Sequence, residues 1–405
     1  MFLMIKYEIK KYIGCKRTYG CILLLTLFFI ALLVFCEWKV IEDRAACETF
    51  YRAAGNSFDE AKKQKIQSEY DKCSERLFVT EESGNIKYKE EEAGKDGTYG
   101  KTQIEDYAIL RDALLCIEKA EKRKRNVEVL RGEFAETAAG NFYQEERENL
   151  LADRAQLNAL VKNSWFGWFS CLAVVFILGP SFCIEKKWKI LDVLRVTKRG
   201  ECVLYLSKIL TGFVLAAAVS GYFFLLYVAV QWGLLGITME TFAKPLYFVD
   251  GFELCASGLC IGKVLLWQGI CSLIVTVLCA FFTMTFSKVL SRGIYAQIAS
   301  FLSMAAASVV HLLSAFGYQN EFWDTDTFYL VSAATFYKIL SAEKTWNPFS
   351  LIQGQYYLEE PRFFVIGTYS YPLWLIPVIL AVFIMGGLVL FLSGSWRARG
   401  WRRGE

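Results

Sequence analysis

The sequence predicts an all-α polytopic membrane protein, with six transmembrane helices and a helical extracytoplasmic domain between the first and second spans. Three observations predict it. Apolar runs recur at 19–36, 165–184, 209–235, 264–286, 294–316 and 372–393. Each reaches about 18 residues or more, enough to cross a hydrocarbon core of about 30 Å as a helix. Lys and Arg gather in alternate connections, and almost all the remaining charge sits in one polar segment near the N-terminus. A chain 55% hydrophobic yet 21% charged is too apolar for an ordinary soluble domain and too charged to be bundle throughout.

The first element, 1–18, carries Phe2, Ile5, Ile9, Tyr12 and Ile13 at helical spacing, with Lys and Glu between them. It is predicted to lie on the inner leaflet as an amphipathic helix. The first span, 19–38, is read as an uncleaved anchor, because Cys36-Glu37-Trp38-Lys39 offers no small-x-small cleavage pattern.

The segment 39–163 is rich in Glu, Lys, Arg, Gln and Ala and contains no Pro, which favours long helices. Helices are predicted over 42–78, broken at Gly55-Asn56, over 104–131 and over 133–162. The first and last should prolong the first two spans outward as a stalk. In the middle helix Ile104, Tyr107, Ala108, Leu110, Leu114, Leu115 and Ile117 recur every three or four residues, marking one packed face. Gly84, Gly94, Gly97 and Gly100 mark a loop or small hairpin. A gate, a cap handling substrate, a docking surface and a plain solvated hairpin are all open readings of this domain.

The remainder, 164–405, holds spans two to six, with a cytoplasmic segment at 185–208. Lys186, Lys187, Lys189, Arg195, Lys198, Arg199 and Lys208 stand there against Glu185, Asp192 and Glu201. The arm carries Lys6, Lys10, Lys11, Lys16 and Arg17 against Glu8, the fourth connection Lys288 and Arg292, and the tail Arg397, Arg399, Arg402 and Arg403. The connections at 237–262 and 319–371 are net acidic. The positive-inside rule therefore puts both termini in the cytoplasm of a cell-membrane protein. This basic rim, hidden in a net charge of +4, fits membrane lipid headgroups and not nucleic acid.

Catalytic chemistry finds little support. Gly100-Lys101-Thr102 looks like the end of a phosphate-binding loop, but the position that needs the earlier Gly is Lys95. The chain is thus not expected to bind ATP itself. The single histidine, His311, allows no Ser/His/Asp set and no histidine metal cluster, and is read as a helix-packing residue. Among 13 cysteines there is no C-x-x-C pair; those in the spans act as small apolar residues. Cys47, Cys73, Cys116, Cys255 and Cys260 fall outside, where free thiols or one disulfide are compatible with the spacing. Glu37 and Glu185 lie at span ends, so no chain of carboxylates at mid-membrane supports an ion-driven carrier.

One block points further. Gly179-Pro180-Ser181-Phe182, then Glu185, then 189–200 (KILDVLRVTKRG) and Leu206-Ser207-Lys208 resembles the inner connection of type-2 ATP-binding-cassette (ABC) exporter permeases of bacteria. There a Glu ends the second span, and a short hydrophobic helix, a Thr/Ser-Lys-x-Gly turn and a Lys opening the next span follow. The arm before the first span and the order of spans are similar too, while the insertion at 39–163 matches only the larger members. The resemblance implies a coupling helix resting on a separate cytoplasmic ABC ATPase subunit, with ATP and Mg bound there and no cofactor in this chain. It implies Glu185, Trp188, Leu191, Leu194, Arg195, Lys198 and Arg199 as the ATPase-coupling residues. A second permease chain, identical or different, would complete the path, and the exported substrate would be a peptide, a lipid or an antimicrobial-type compound.

An alternative from another class remains: a non-transporting receptor or secretion-accessory anchor whose outer helical domain binds a partner. Finally, the aromatic stretch 346–357 is expected at the outer membrane surface. Trp346, Phe349, Tyr356, Tyr357, Leu351 and Ile352 would there face lipid or cap the path, unless the loop packs beneath the outer domain.

Overall fold

The computed structural model describes residues 2–55, 58–80, 86–88, 101–133, 151–187, 200–252, 255, 259–319, 346–359, 363–366 and 369–394. Helices dominate it. In chain order, α1 (Phe2–Ile13) is followed by α2 (Lys16–Ala54), α3 (Glu60–Leu77), the strands β1 (Phe78–Thr80) and β2 (Ile86–Tyr88), and α4 (Lys101–Glu133). Next come α5 (Arg154–Lys162), α6 (Trp165–Leu178), α7 (Cys183–Lys187), α8 (Gly200–Leu235), α9 (Met239–Ala243), α10 (Ile261–Val289) and α11 (Gly293–Gln319). The short α12 (Tyr356–Glu359), the hairpin of β3 (Phe363–Ile366) and β4 (Tyr369–Pro372), and α13 (Leu375–Gly394) complete the chain.

Among the described residues, five helical stretches are long and apolar enough to cross a membrane: Thr18–Ala54, Arg154–Lys187, Val203–Leu235, Ile261–Val289 and Leu375–Ser393. The sixth predicted run, 294–316, is helical within α11; its side chains beyond Ser308, His311 included, lie outside the described residues. The central pair is α6 and α10, buried along most of their length, whereas α2 and α13 sit at the rim with most of their surface uncovered. Phe29, Phe166, Phe169, Phe223 and Tyr227 knit α2, α6 and α8 together, with Phe29 edge-on to Phe223 at 5.7 Å. Where two spans approach closely, a glycine makes room: a Cβ on Gly212 would meet Met284 Sδ at 2.5 Å.

α2 is continuous for 39 residues, prolonging the first apolar run without a break. It stops where expected, at Gly55, whose positive φ of 77° suits a residue without Cβ. α3 and α4 then form an antiparallel pair. Tyr70 and Tyr107 stack at 5.2 Å, and Lys63 bonds Glu121 at 2.6 Å. A short hairpin of β1 and β2 follows α3, with Phe78 opposite Tyr88, while Gly84, Gly94, Gly97 and Gly100, read as a loop or small hairpin, lie outside the described residues. The packed face of α4 overlaps the predicted one at Leu110 and Ile117, while the Ile104 side chain lies outside the described residues. That face comprises Ile109, Leu110, Ala113, Cys116, Ile117 and Ala120, while Ala108 is exposed and Leu114 and Leu115 are half-buried. Small residues there let α4 lie close to its neighbours, so side-chain size as well as apolarity decides which face turns inward. Of the third predicted helix, 133–162, α5 is the described part beyond α4. Asp153 caps it, accepting the Gln156 amide at 3.1 Å. A two-residue break at Asn163-Ser164 separates α5 from α6, so the second apolar run is prolonged toward the N-terminus with an interruption.

The stretch at 346–357 departs from the expectation of a lipid-facing surface. Pro348–Gln353 forms a 3₁₀ turn, with Pro at its start and the Asn347 side chain accepting the Phe349 amide at 3.0 Å. Phe349, Leu351, Ile352 and Tyr357 are buried among Cys171, Cys271, Val275, Leu278 and Met304, Trp346 is half exposed, and the Tyr356 side chain lies outside the described residues. The turn is thus a wedge between spans: its apolar residues find more partners there than at a surface. The β3–β4 hairpin, absent from the sequence reading, follows this wedge after α12.

Among the described residues Cys47, Cys73 and Cys260 are free thiols.

Candidate functional site

The predicted coupling segment begins at Glu185, on the one-turn helix α7. Helix α6 ends at Leu178, and the turn Gly179–Phe182 redirects the chain, the Ser181 amide donating to Leu178 O at 2.9 Å. Gly179 is required there, since a Cβ would fall 2.2 Å from the Gln297 side chain. Glu185 consequently points inward and is 2% exposed.

Burying a carboxylate is costly unless it is paired, and this one is paired twice. Its Oε1 accepts from Lys208 Nζ at 2.8 Å and from Lys11 Nζ at 2.5 Å. Lys208, near the start of α8, is itself 2% exposed. An ammonium has three donors, and all three are used: Glu185 Oε1, Glu8 Oε2 at 3.1 Å, and Ser181 O at 2.7 Å. Glu8 is 4% exposed on α1. Two carboxylates and two ammoniums thus form a charge-balanced cluster from three separate segments, the N-terminal arm, the end of the second span and the start of the third, with Glu8, Glu185 and Lys208 buried and Lys11 at its solvent edge. Tyr12 packs beside it, its phenol pushed well above the ordinary range by burial, with Glu8 and Glu185 adding to the effect.

Further lysines extend this junction across the bundle. Lys186 donates to the carbonyls of Lys288 and, at 3.0 Å, Leu290, closing the C-terminal end of α10. Lys288 in turn donates to Phe391 O at 3.0 Å and Leu392 O at 2.7 Å near the end of α13. The Phe182 amide donates to Ser287 Oγ at 2.9 Å. The ends of α6, α8, α10 and α13 are therefore joined by ammonium groups seated on carbonyls or carboxylates. Glu185 lies just before the stretch 188–199 and Lys208 after it.

Of the predicted coupling residues, Glu185 is placed at the heart of the cluster. Trp188, Leu191, Leu194, Arg195, Lys198 and Arg199 lie outside the described residues. Sequence reasoning passed over Glu8 and Lys11. The signal was present, because Glu8 is the one acid among the arm's five basic residues and falls four positions before Tyr12 on the same face.

A second polar knot ties the opposite ends of the spans. Glu37, 1% exposed on α2, accepts from Gln231 Nε2 at 2.5 Å and Asn163 Nδ2 at 2.7 Å. The sequence placed Glu37 at a span end but gave no sign that two amides would enclose it. Beyond it, Asp250 receives Lys119 of α4, Arg154 of α5 at 2.5 Å and Asn158 Nδ2 at 2.9 Å. Burial raises the Asp250 carboxyl, but the hydrogen bonds from Lys119 and Arg154 outweigh it and hold it at about 2. Leu246, Tyr247, Phe248, Val249 and Phe252 are buried around this knot, rooting α4 on the bundle.

No group of three or more His, Cys, Asp or Glu side chains that could hold a metal occurs among the described residues. No known protein-family model, curated protein or solved structure matches this chain.

Proposed function

We propose that this chain is the membrane-spanning permease subunit of an ATP-driven exporter, powered by a separate cytoplasmic ABC ATPase that docks on the segment 185–208. The observation that carries it is the Glu8–Lys208–Glu185–Lys11 cluster, which grips both ends of that segment and joins it to the arm and two spans. In this reading ATP binding draws two ATPase subunits together, each pressing on a segment 185–208. Glu185 and Lys208 pass the displacement to the second and third spans as one body, and Lys186 and Lys288 pass it on to the spans ending at Leu290 and Leu392. Apolar Trp188, Leu191 and Leu194 supply the contact, and Arg195, Lys198 and Arg199 the charge. In this reading there are six spans, and the positive-inside rule puts both termini in the cytoplasm and 39–163 outside. A second permease chain, against the uncovered faces of α2 or α13, encloses the path of a peptide, lipid or antimicrobial-type substrate.

Purification of the full chain from its native membrane in mild detergent, with co-eluting subunits identified by mass spectrometry, tests the partner. An ABC ATPase is expected in near-equal amount. Leu191→Asp with Leu194→Asp should release it while membrane insertion persists. Unchanged association in that variant would remove the proposed docking site.

A further inference from the structure

A cavity of about 650 Å³ opens beside the lysine junction, lined by Pro180, Cys183, Ile184, Lys186, Lys187, Ser291, Arg292, Gly293 and Ile294. It lies where the second span ends and α11 begins. Lys186, Lys187 and Arg292 contribute three positive charges to its wall, and no carboxylate is among the described lining residues. Lys186 is committed to the carbonyls of Lys288 and Leu290. Lys187 and Arg292 are exposed, with Arg292 lying over the Tyr295 ring at 5.8 Å. The charge is therefore held at a rim, free to meet an anion, and the start of α11 adds its dipole to the same sign.

What continues from this basic wall is apolar. Ile294, Ile298, Phe301 and Leu302 follow one another up α11 at helical spacing and are all exposed, Ile294 at 58% and Leu302 at 60%. Tyr295 stands at the junction, 49% exposed, as an aromatic residue does at a bilayer interface. A positive cavity opening on an apolar stripe matches an amphiphile with an anionic head, and a soluble phosphate would leave the stripe unused.

We propose that this cavity holds the phosphate headgroup of an anionic phospholipid, with its acyl chains lying along α11. Lys187 and Arg292 bind the phosphate, while Pro180 and Gly293 form the back wall. Gly293 has little room to spare, since a Cβ there would sit 3.1 Å from Pro180. The bound lipid thereby bridges the end of the second span and the start of α11. The inference rests on the bundle lying in a bilayer and not on the ATPase, so it can fail while the coupling reading stands.

The test is native mass spectrometry of the full chain released from nanodiscs of phosphatidylglycerol or phosphatidylcholine. Phosphatidylglycerol should be retained and phosphatidylcholine lost. Lys187→Glu with Arg292→Glu should lower retention on the order of tenfold, from two removed attractions. Lys187→Arg with Arg292→Lys should restore it, and if the double reversal does not fold, Arg292→Gln is read instead. Equal retention of the two lipids, indifference to charge reversal, or displacement by millimolar glycerol 3-phosphate would each overturn the proposal.

Discussion

At the residue scale Glu8, Glu185 and Lys208 are a set in which each charge is the reason the others can be buried. Removing Lys208 leaves buried carboxylates uncompensated, at a cost of about 3–5 kcal/mol for a buried pair. Lys208→Met should therefore sharply lower the melting temperature in detergent. Lys208→Met combined with Glu185→Gln should recover part of the loss, a coupling that a double-mutant cycle measures. Simple additivity would mean that the two side chains do not act together. Asp250 offers a pH test. Its folded value of about 2 lies below the ordinary aspartate value of about 3.9. Its contribution is thus complete above about pH 4 and is lost as pH falls through 2. Proteolysis of α4 with an acid-active protease, relative to an unfolded control substrate, should accelerate across that window and do so less steeply in Asp250→Asn.

At the element scale, the helices and their ends were largely legible. Charge-free apolar length marks a span whatever surrounds it, and Gly55 ends α2 for a local reason, its positive φ. Contacts between distant segments were much less legible. Lys208 could be seen to open a span, but Glu8 lies 200 positions away, and no local pattern reveals such a partner. The wedge at Pro348–Gln353 was misplaced for the same reason: aromatic and apolar residues beside a span suit an interface and a buried turn equally well until the surrounding helices are known. Helix packing gives its own prediction. Gly212 faces Met284 with no space for a larger side chain, so Gly212→Leu should force α8 from α10 and cost about 1–3 kcal/mol. Met284→Ala in the same chain should relieve part of it, as read by thermal unfolding in detergent.

Across the whole molecule, two polar knots lie at opposite ends of one apolar bundle, and the helical insertion is rooted on one of them through Asp250. The proposed orientation puts that knot and the insertion outside the cell. A cysteine introduced at Gly97, in a chain with its reactive native thiols replaced, should then react with a membrane-impermeant maleimide in intact cells. Reaction only after the membrane is opened would invert the assignment.

The unbroken α2 has a consequence for movement. At 39 residues it is roughly 58 Å long, a stiff rod whose inner foot adjoins the arm that carries Glu8 and Lys11 and whose far end reaches the α3–α4 pair. Such a rod multiplies small rotations: a tilt of about 5° at its foot carries its tip through about 5 Å, more than the one or two ångströms by which packed helices ordinarily shift. The outer helices would then swing as the far arm of a lever whose near arm is set by the cluster around Lys208.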